Sequence, residues 1–239
     1  MLPLYDFLNH RTDANIVWAA GGGFVRFSAS CDEGEEIYNS YGPKTNEELL
    51  STYGFAIQDN PLDSVEIFIG QQQHQQEEDA EQAAALHGTR VMRLDDLGIH
   101  HKVNTEGHIV IGPFILRQNQ SPAAAHGDAD TREDEEGEEA SSSIIPAEVY
   151  HALAILAMEA PDDPVEITGD ELDALKGVLD ARLLMMSRCR EKLRVSLEGN
   201  SAVKRHAQHV GIYLDGQCTI LREALQEVDA LLAEGESSE

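Results

Sequence analysis

Leu2-Pro3-Leu4-Tyr5-Asp6-Phe7-Leu8-Asn9-His10 stands at the start of the chain, and Gly34-Glu35-Glu36-Ile37-Tyr38-Asn39-Ser40-Tyr41-Gly42 follows it. Asn46-Glu47-Glu48-Leu49-Leu50 and Tyr53-Gly54-Phe55 come next. Taken singly, these pieces are ordinary: Tyr41 before Gly42 reads as a buried turn tyrosine, and Asn9-His10 as a loop pair. Aromatic residues make up only 5% of the 239 residues. Their concentration here therefore marks the informative region.

Working outward, Phe24-Val25-Arg26-Phe27-Ser28-Ala29-Ser30 predicts a strand, Cys31-Asp32-Glu33-Gly34 a turn, and Glu36-Ile37-Tyr38 a second strand. Gly21-Gly22-Gly23 reads as a loop, since no strand-to-helix context supports a phosphate cradle. Thr45 with Glu48 three residues on forms a capping box opening a short helix. Val65-Glu66-Ile67-Phe68-Ile69 is a further strand. Beyond the glutamine-rich stretch from Gln71 to Gln76, a helix is expected around Asp79 to Leu86. His108 to Ile111 reads as a short strand paired with the segment around Val91. His100-His101 cannot share one face of an element, so they read as loop residues rather than metal ligands.

From Pro146 the pattern turns helical. Val149, Leu153, Leu156 and Ala157 form one stripe, which Pro161 and Pro164 close. A second helix, from about Thr168 or Asp170, carries Leu172, Leu175, Val178, Leu179, Leu183 and Met186. A third, after Asn200-Ser201, carries Val203, Ala207, Val210, Leu214, Cys218, Leu221, Leu225, Val228 and Leu232. The expected fold class is α+β, with a β-rich region over 1–70 and long amphipathic helices within 71–239. Residues 118–143 read as an acidic disordered insertion.

The chain has 44 acidic and 17 basic residues, a formal charge of −27. The insertion supplies −7 of this and leaves −20 on the remainder, so acidity belongs to the folded body too. Such a surface repels phosphates, which excludes a basic-patch nucleic-acid binder and disfavours an anionic membrane. No run approaches the ~18 apolar residues of a transmembrane helix, and no signal-peptide pattern is present, so a cytoplasmic or nuclear location is expected. Cys31, Cys189 and Cys218 lie far apart without a CxxC pair, which fits reduced thiols and no structural metal.

Asp-x-x-Asn-His, Gly-Glu-Glu-Ile, Ser-Tyr-Gly, Asn-Glu-Glu-Leu-Leu and Tyr-Gly-Phe, in that order, resemble the second half of a SET domain of the Rubisco lysine methyltransferase class. Residues 71–239 more weakly resemble the helical substrate-binding domain that follows it. Gly216-Gln217-Cys218-Thr219-Ile220-Leu221 is similar to part of that domain's last helix. The resemblance implies S-adenosylmethionine as methyl donor, with Asn9, His10 and Phe55 at its site. It implies Tyr41 as the tyrosine facing the reacting atoms, Tyr53 beside the lysine channel, and Asp6 and Lys44 near substrate. It also implies that the first half of the SET domain is missing, through either an incomplete gene model or a degenerate relative.

The residue types suit methyl transfer to lysine. Presenting lysine (pKa ~10.4) neutral near pH 7 costs roughly 4 to 5 kcal/mol, which an apolar channel beside a sulfonium lowers. Tyrosine rings hold a partly methylated ammonium by cation–π attraction of ~0.5 to 2 kcal/mol. No metal or nucleophilic side chain is needed. The implied partner is a protein with a basic, lysine-containing segment. Two alternatives stand beside this: a non-catalytic binding module derived from a SET domain, and a methyltransferase acting on histidine.

Overall fold

Alternation of apolar and polar residues over 64–70 and 109–117 builds the central sheet of the protein, seen in a computed structural model that describes residues 7–14, 16–21, 24–29, 31–70, 80–118, 143–196 and 201–236. Strands β1 (Ile16–Gly21) and β2 (Phe24–Ala29) form an antiparallel pair in register from Ile16 opposite Ala29 to Gly21 opposite Phe24. Helix α1 spans Asn46–Tyr53. Strand β3 (Ser64–Gly70), helix α2 (Ala80–Asp96), and strands β4 (His101–Val103) and β5 (Ile109–Arg117) follow. The three strands make an antiparallel sheet in the order β3-β5-β4. Helices α3 (Ala147–Ala157), α4 (Gly169–Ser196) and α5 (Ser201–Glu236) complete the α+β architecture.

The capping box is formed as expected: the Thr45 side chain accepts from the Glu48 amide, and Glu48 accepts from the Thr45 amide. Gly54 ends α1 at φ 79°, a left-handed conformation that glycine adopts without strain. In β3, Val65, Ile67 and Ile69 are buried while Glu66 and Phe68 face outward. Leu214, Cys218, Leu221, Leu225 and Val228 of α5, which contacts both β3 and β5, share one core with the buried residues of those strands. Leu172, Leu175, Leu179 and Met186 of α4 join the same core. Each fully buried leucine contributes roughly 1.5–3 kcal/mol, so the amphipathic stripes, rather than helix propensity, stabilise α4 and α5.

Four expectations are corrected. Glu36-Ile37-Tyr38 is not a strand, because a strand needs a neighbour and the segment's one bridge among the described residues pairs Asn39 with His10 in parallel. Ile16–Gly21 is a strand that was not anticipated, and Gly21 ends it rather than standing in a loop; Gly22 and Gly23 lie outside the described residues. The strand expected at 108–111 runs over Ile109–Arg117 and pairs with β3 and β4. It does not pair with the segment around Val91, because Val91 lies inside α2, which runs ten residues beyond the expected Leu86 to Asp96. His101 opens β4 rather than lying in a loop.

Of the insertion read at 118–143, residues 119–142 lie outside the described residues. Its two flanks are held: Gln118 Nε2 donates to Glu223 Oε1 at 3.1 Å, and Ser143 Oγ and the Ile144 amide donate to the Glu227 carboxylate. Glu223 and Glu227 stand one turn apart on α5. Gln118 and Ser143 thus belong to the ordered body.

Candidate active site

Two separate segments meet at one backbone crossing. The Asn39 amide donates to Asn9 O at 2.8 Å, and the Arg11 amide donates to Asn39 O at 3.0 Å. This places His10 beside Tyr41, whose own amide donates to His10 Nδ1 at 3.1 Å. Nδ1 is therefore an acceptor, and the neutral imidazole carries its hydrogen on Nε2. The His10 and Tyr41 rings stack, with centroids 5.0 Å apart and planes at 22°. The Tyr41 hydroxyl donates to Leu8 O at 2.7 Å, tying the ring to the incoming segment.

The turn after Tyr41 leads into α1, and the exit from α1 returns two further rings. Tyr53 lies 4.7 Å from Tyr41, and Phe55 meets Tyr41 edge-on at 6.4 Å. Phe55 also lies 6.2 Å from His10. Four residues singled out from the sequence thus form one aromatic group: His10, Tyr41, Tyr53 and Phe55. Tyr53 is half exposed, so the group opens to solvent on its side. Burial, with a smaller contribution from Tyr53, raises the Tyr41 pKa, so its phenol stays protonated at neutral pH.

The remaining predicted residues lie differently. The Asn9 side chain is exposed and donates to Glu36 Oε1 at 2.6 Å. Lys44 pairs with Glu48 at 3.0 Å beside the capping box. Asp6 lies outside the described residues. Two residues at the site were not foreseen. Asn39 is half of the backbone crossing, and His209 of α5 places its Nδ1 3.1 Å from the Ala56 amide and 3.2 Å from Ala56 O. No local signal marks His209, since it comes from 153 residues along the chain.

The residues present fit a polar, partly aromatic ligand. His10 is 9% exposed, and its Nε2 has no hydrogen-bond partner among the described residues. Asn39 Oδ1 is likewise buried and unpartnered there. An unpaired buried donor and acceptor each cost about 1–3 kcal/mol unless something bonds them. A ligand acceptor beside the aromatic wall would satisfy His10 Nε2, and a ligand donor would satisfy Asn39 Oδ1. A cleft of about 1110 Å³ lies elsewhere, between Pro43–Glu48, Leu62, β5 and the start of α3, and contains none of the four rings. Among the described residues no cluster of three His, Cys, Asp or Glu could hold a metal ion, and no helix is long and apolar enough to cross a membrane.

Burial lowers the His10 pKa below its ordinary value, partly opposed by the Asn39 backbone. As pH falls through about 6.5, the unfolded chain takes up this proton before the folded one. His10 therefore contributes stability above that pH and loses it as the pH drops through its folded pKa. The melting temperature should fall more steeply in the parent than in His10→Gln on acidification from about pH 7.5 to about 5.5. Equal slopes in a thermal-denaturation series would refute this.

A segment of about 70 residues is similar to lysine N-methyltransferases of SET type. Ribosomal lysine N-methyltransferase 1 of Saccharomyces cerevisiae is 40% identical over 67 residues, 27% of this chain and 12% of that protein. Ribosomal lysine N-methyltransferase set10 of Schizosaccharomyces pombe is 40% identical over 70 residues, 27% of this chain and 13% of that protein. Its set11 counterpart is 30% identical over 69 residues, 28% of this chain and 18% of that protein. The chain spans less than a fifth of the length of these relatives. No family model matches.

Proposed function

We propose that the protein is an S-adenosylmethionine-dependent protein-lysine N-methyltransferase. The observation that carries this is the assembly of His10, Tyr41, Tyr53 and Phe55 from separate segments into one aromatic group, in which the buried His10 Nε2 has no hydrogen-bond partner among the described residues. His10 Nε2, Asn39 Oδ1 and the Phe55 ring would hold the methyl donor. When bound, S-adenosylmethionine supplies an electrophilic methyl group on a sulfonium. Tyr41 and Tyr53 form an aromatic wall that disfavours a solvated ammonium and so favours the neutral amine. Because Tyr41 stays protonated, it orients the target nitrogen rather than abstracting its proton. By holding the target amine against the bound donor, Tyr41 and Tyr53 would supply chiefly orientation, the main source of rate in a direct displacement.

The substrate is a basic protein. The relatives' names specify ribosomal lysines, and a chain of charge −27 attracts lysine-rich segments with a gain chiefly in encounter rate. The helices from α3 to α5 serve as the substrate-binding part. The test is incubation of the full chain with labelled S-adenosylmethionine and purified ribosomal proteins, followed by mass-spectrometric identification of the methylated residue. Label on lysine is expected. Label on histidine would move the assignment to the histidine-directed class. A folded chain that binds no S-adenosylmethionine by calorimetry would favour a non-catalytic binding module.

A further inference from the structure

Phe55 sits at the point where the long helix α5 touches the aromatic group. Its ring meets the His209 ring edge-on at 6.5 Å and 76°. The next residue, Ala56, is 5% exposed, and its amide and carbonyl both lie within hydrogen-bond distance of His209 Nδ1. The residue after that, Ile57, is gripped on both sides by one asparagine. Its amide donates to Asn46 Oδ1 at 2.8 Å, and its carbonyl accepts from Asn46 Nδ2 at 3.0 Å.

Asn46 is in turn anchored to α5. Its amide and Nδ2 donate to the two oxygens of buried Asp63 at 3.1 Å each. Asp63 lies so close to Gly216 of α5 that a Cβ there would come 2.6 Å from Oδ2. The buried Gln217 beside it donates to Ser64 O at 2.7 Å. Ala56 is therefore held by α5 directly, and Ile57 is held by Asn46, whose partner Asp63 packs against Gly216 of the same helix. Among the described residues neither Tyr41 nor His10 has a hydrogen bond to α5.

We infer that His209 is a positioning residue for the methyl-donor pocket: α5 sets the Phe55 ring through the His209–Ala56 contact. The inference rests on the methyltransferase reading and adds that the helical part of the chain determines donor affinity. Among the described residues the ring and hydrogen-bond contacts of His209 are with Phe55 and the Ala56 backbone, so it acts through Phe55 and not on the reacting atoms.

The test compares the parent with His209→Ala and His209→Asn, whose amide oxygen can replace Nδ1 as acceptor. Residue-resolved amide exchange without donor should show faster exchange at Ala56 in His209→Ala and an unchanged rate at Ile57, whose acceptor is Asn46. Calorimetry with S-adenosylmethionine should show about tenfold weaker binding in His209→Ala, with kcat within about twofold of the parent. His209→Asn should restore both the Ala56 protection and most of the affinity. Unchanged affinity in His209→Ala beside a parent that binds the donor would overturn the inference alone. Equal loss in both variants, or faster exchange spread across α1 and β3, would reduce His209 to a general structural role and overturn it. A parent that binds no donor would bring down the methyltransferase reading, and the inference with it.

Discussion

Tyr41→Phe is expected to reduce methyl transfer by about a hundredfold in kcat while leaving the affinity for S-adenosylmethionine within a few-fold. The phenylalanine ring keeps the stack on His10 and the contacts with Tyr53 and Phe55, so the aromatic group survives. Only the hydroxyl is lost, together with its 2.7 Å bond to Leu8 O. That bond fixes the oxygen from which a target nitrogen can be oriented. Losing it lets the incoming segment and the ring move independently, and small misplacements are costly in a displacement that depends on alignment. A mutant with the parent's turnover on the same substrate would remove Tyr41 from the reaction. A mutant that also loses donor binding would make the hydroxyl part of the pocket's structure.

Gly216→Ala is expected to destabilise the protein by about 1–3 kcal/mol, a loss of several degrees in melting temperature for a chain of this size. Helix propensity alone predicts the reverse, since replacing a mid-helix glycine by alanine ordinarily gains roughly 0.5–1 kcal/mol. The difference lies in what the new methyl meets. At Gly216 it would come 2.6 Å from Asp63 Oδ2, and that oxygen cannot swing away without releasing the Asn46 side chain. Gly177, inside α4, is the control: a Cβ there meets nothing within 4 Å. Gly177→Ala should stabilise. Thermal denaturation of both variants decides the matter, and a gain at both positions would mean that the Asp63 contact yields freely.

What could be read in advance follows the range of the interactions. The Thr45–Glu48 capping box is a local pattern and forms where the sequence places it, and most of the stripe residues of α3, α4 and α5 are buried or packed on the core, but Ala157 and Val178 face solvent while Ala152 and Ile155 are buried instead. The strands are less legible because each is completed by a partner elsewhere. Glu36-Ile37-Tyr38 has strand composition yet finds only the single bridge at Asn39, while β5 extends to Arg117 because β3 lies alongside it. At the site, the order of short motifs located His10, Tyr41, Tyr53 and Phe55. It gave no hint that the Asn9 side chain would be taken by Glu36, nor that His209 would arrive from the last helix. Asp63 illustrates the same limit. Its burial raises its pKa despite the Asn46 and Ser64 donors around it, an environment assembled from α1, β3 and α5 together.

The two glutamates that hold Gln118 and Ser143 make one stretch of α5 a fixed pair of posts. Successive turns of a helix are about 5.4 Å apart, so the chain leaves and rejoins the body at almost one place. Closing a loop between fixed ends costs only about 0.6 kcal/mol for each doubling of its length. A change in the number of residues between Gln118 and Ser143 is therefore expected to cost the fold little, because the glutamates that hold the two ends belong to α5 and not to the sequence between them.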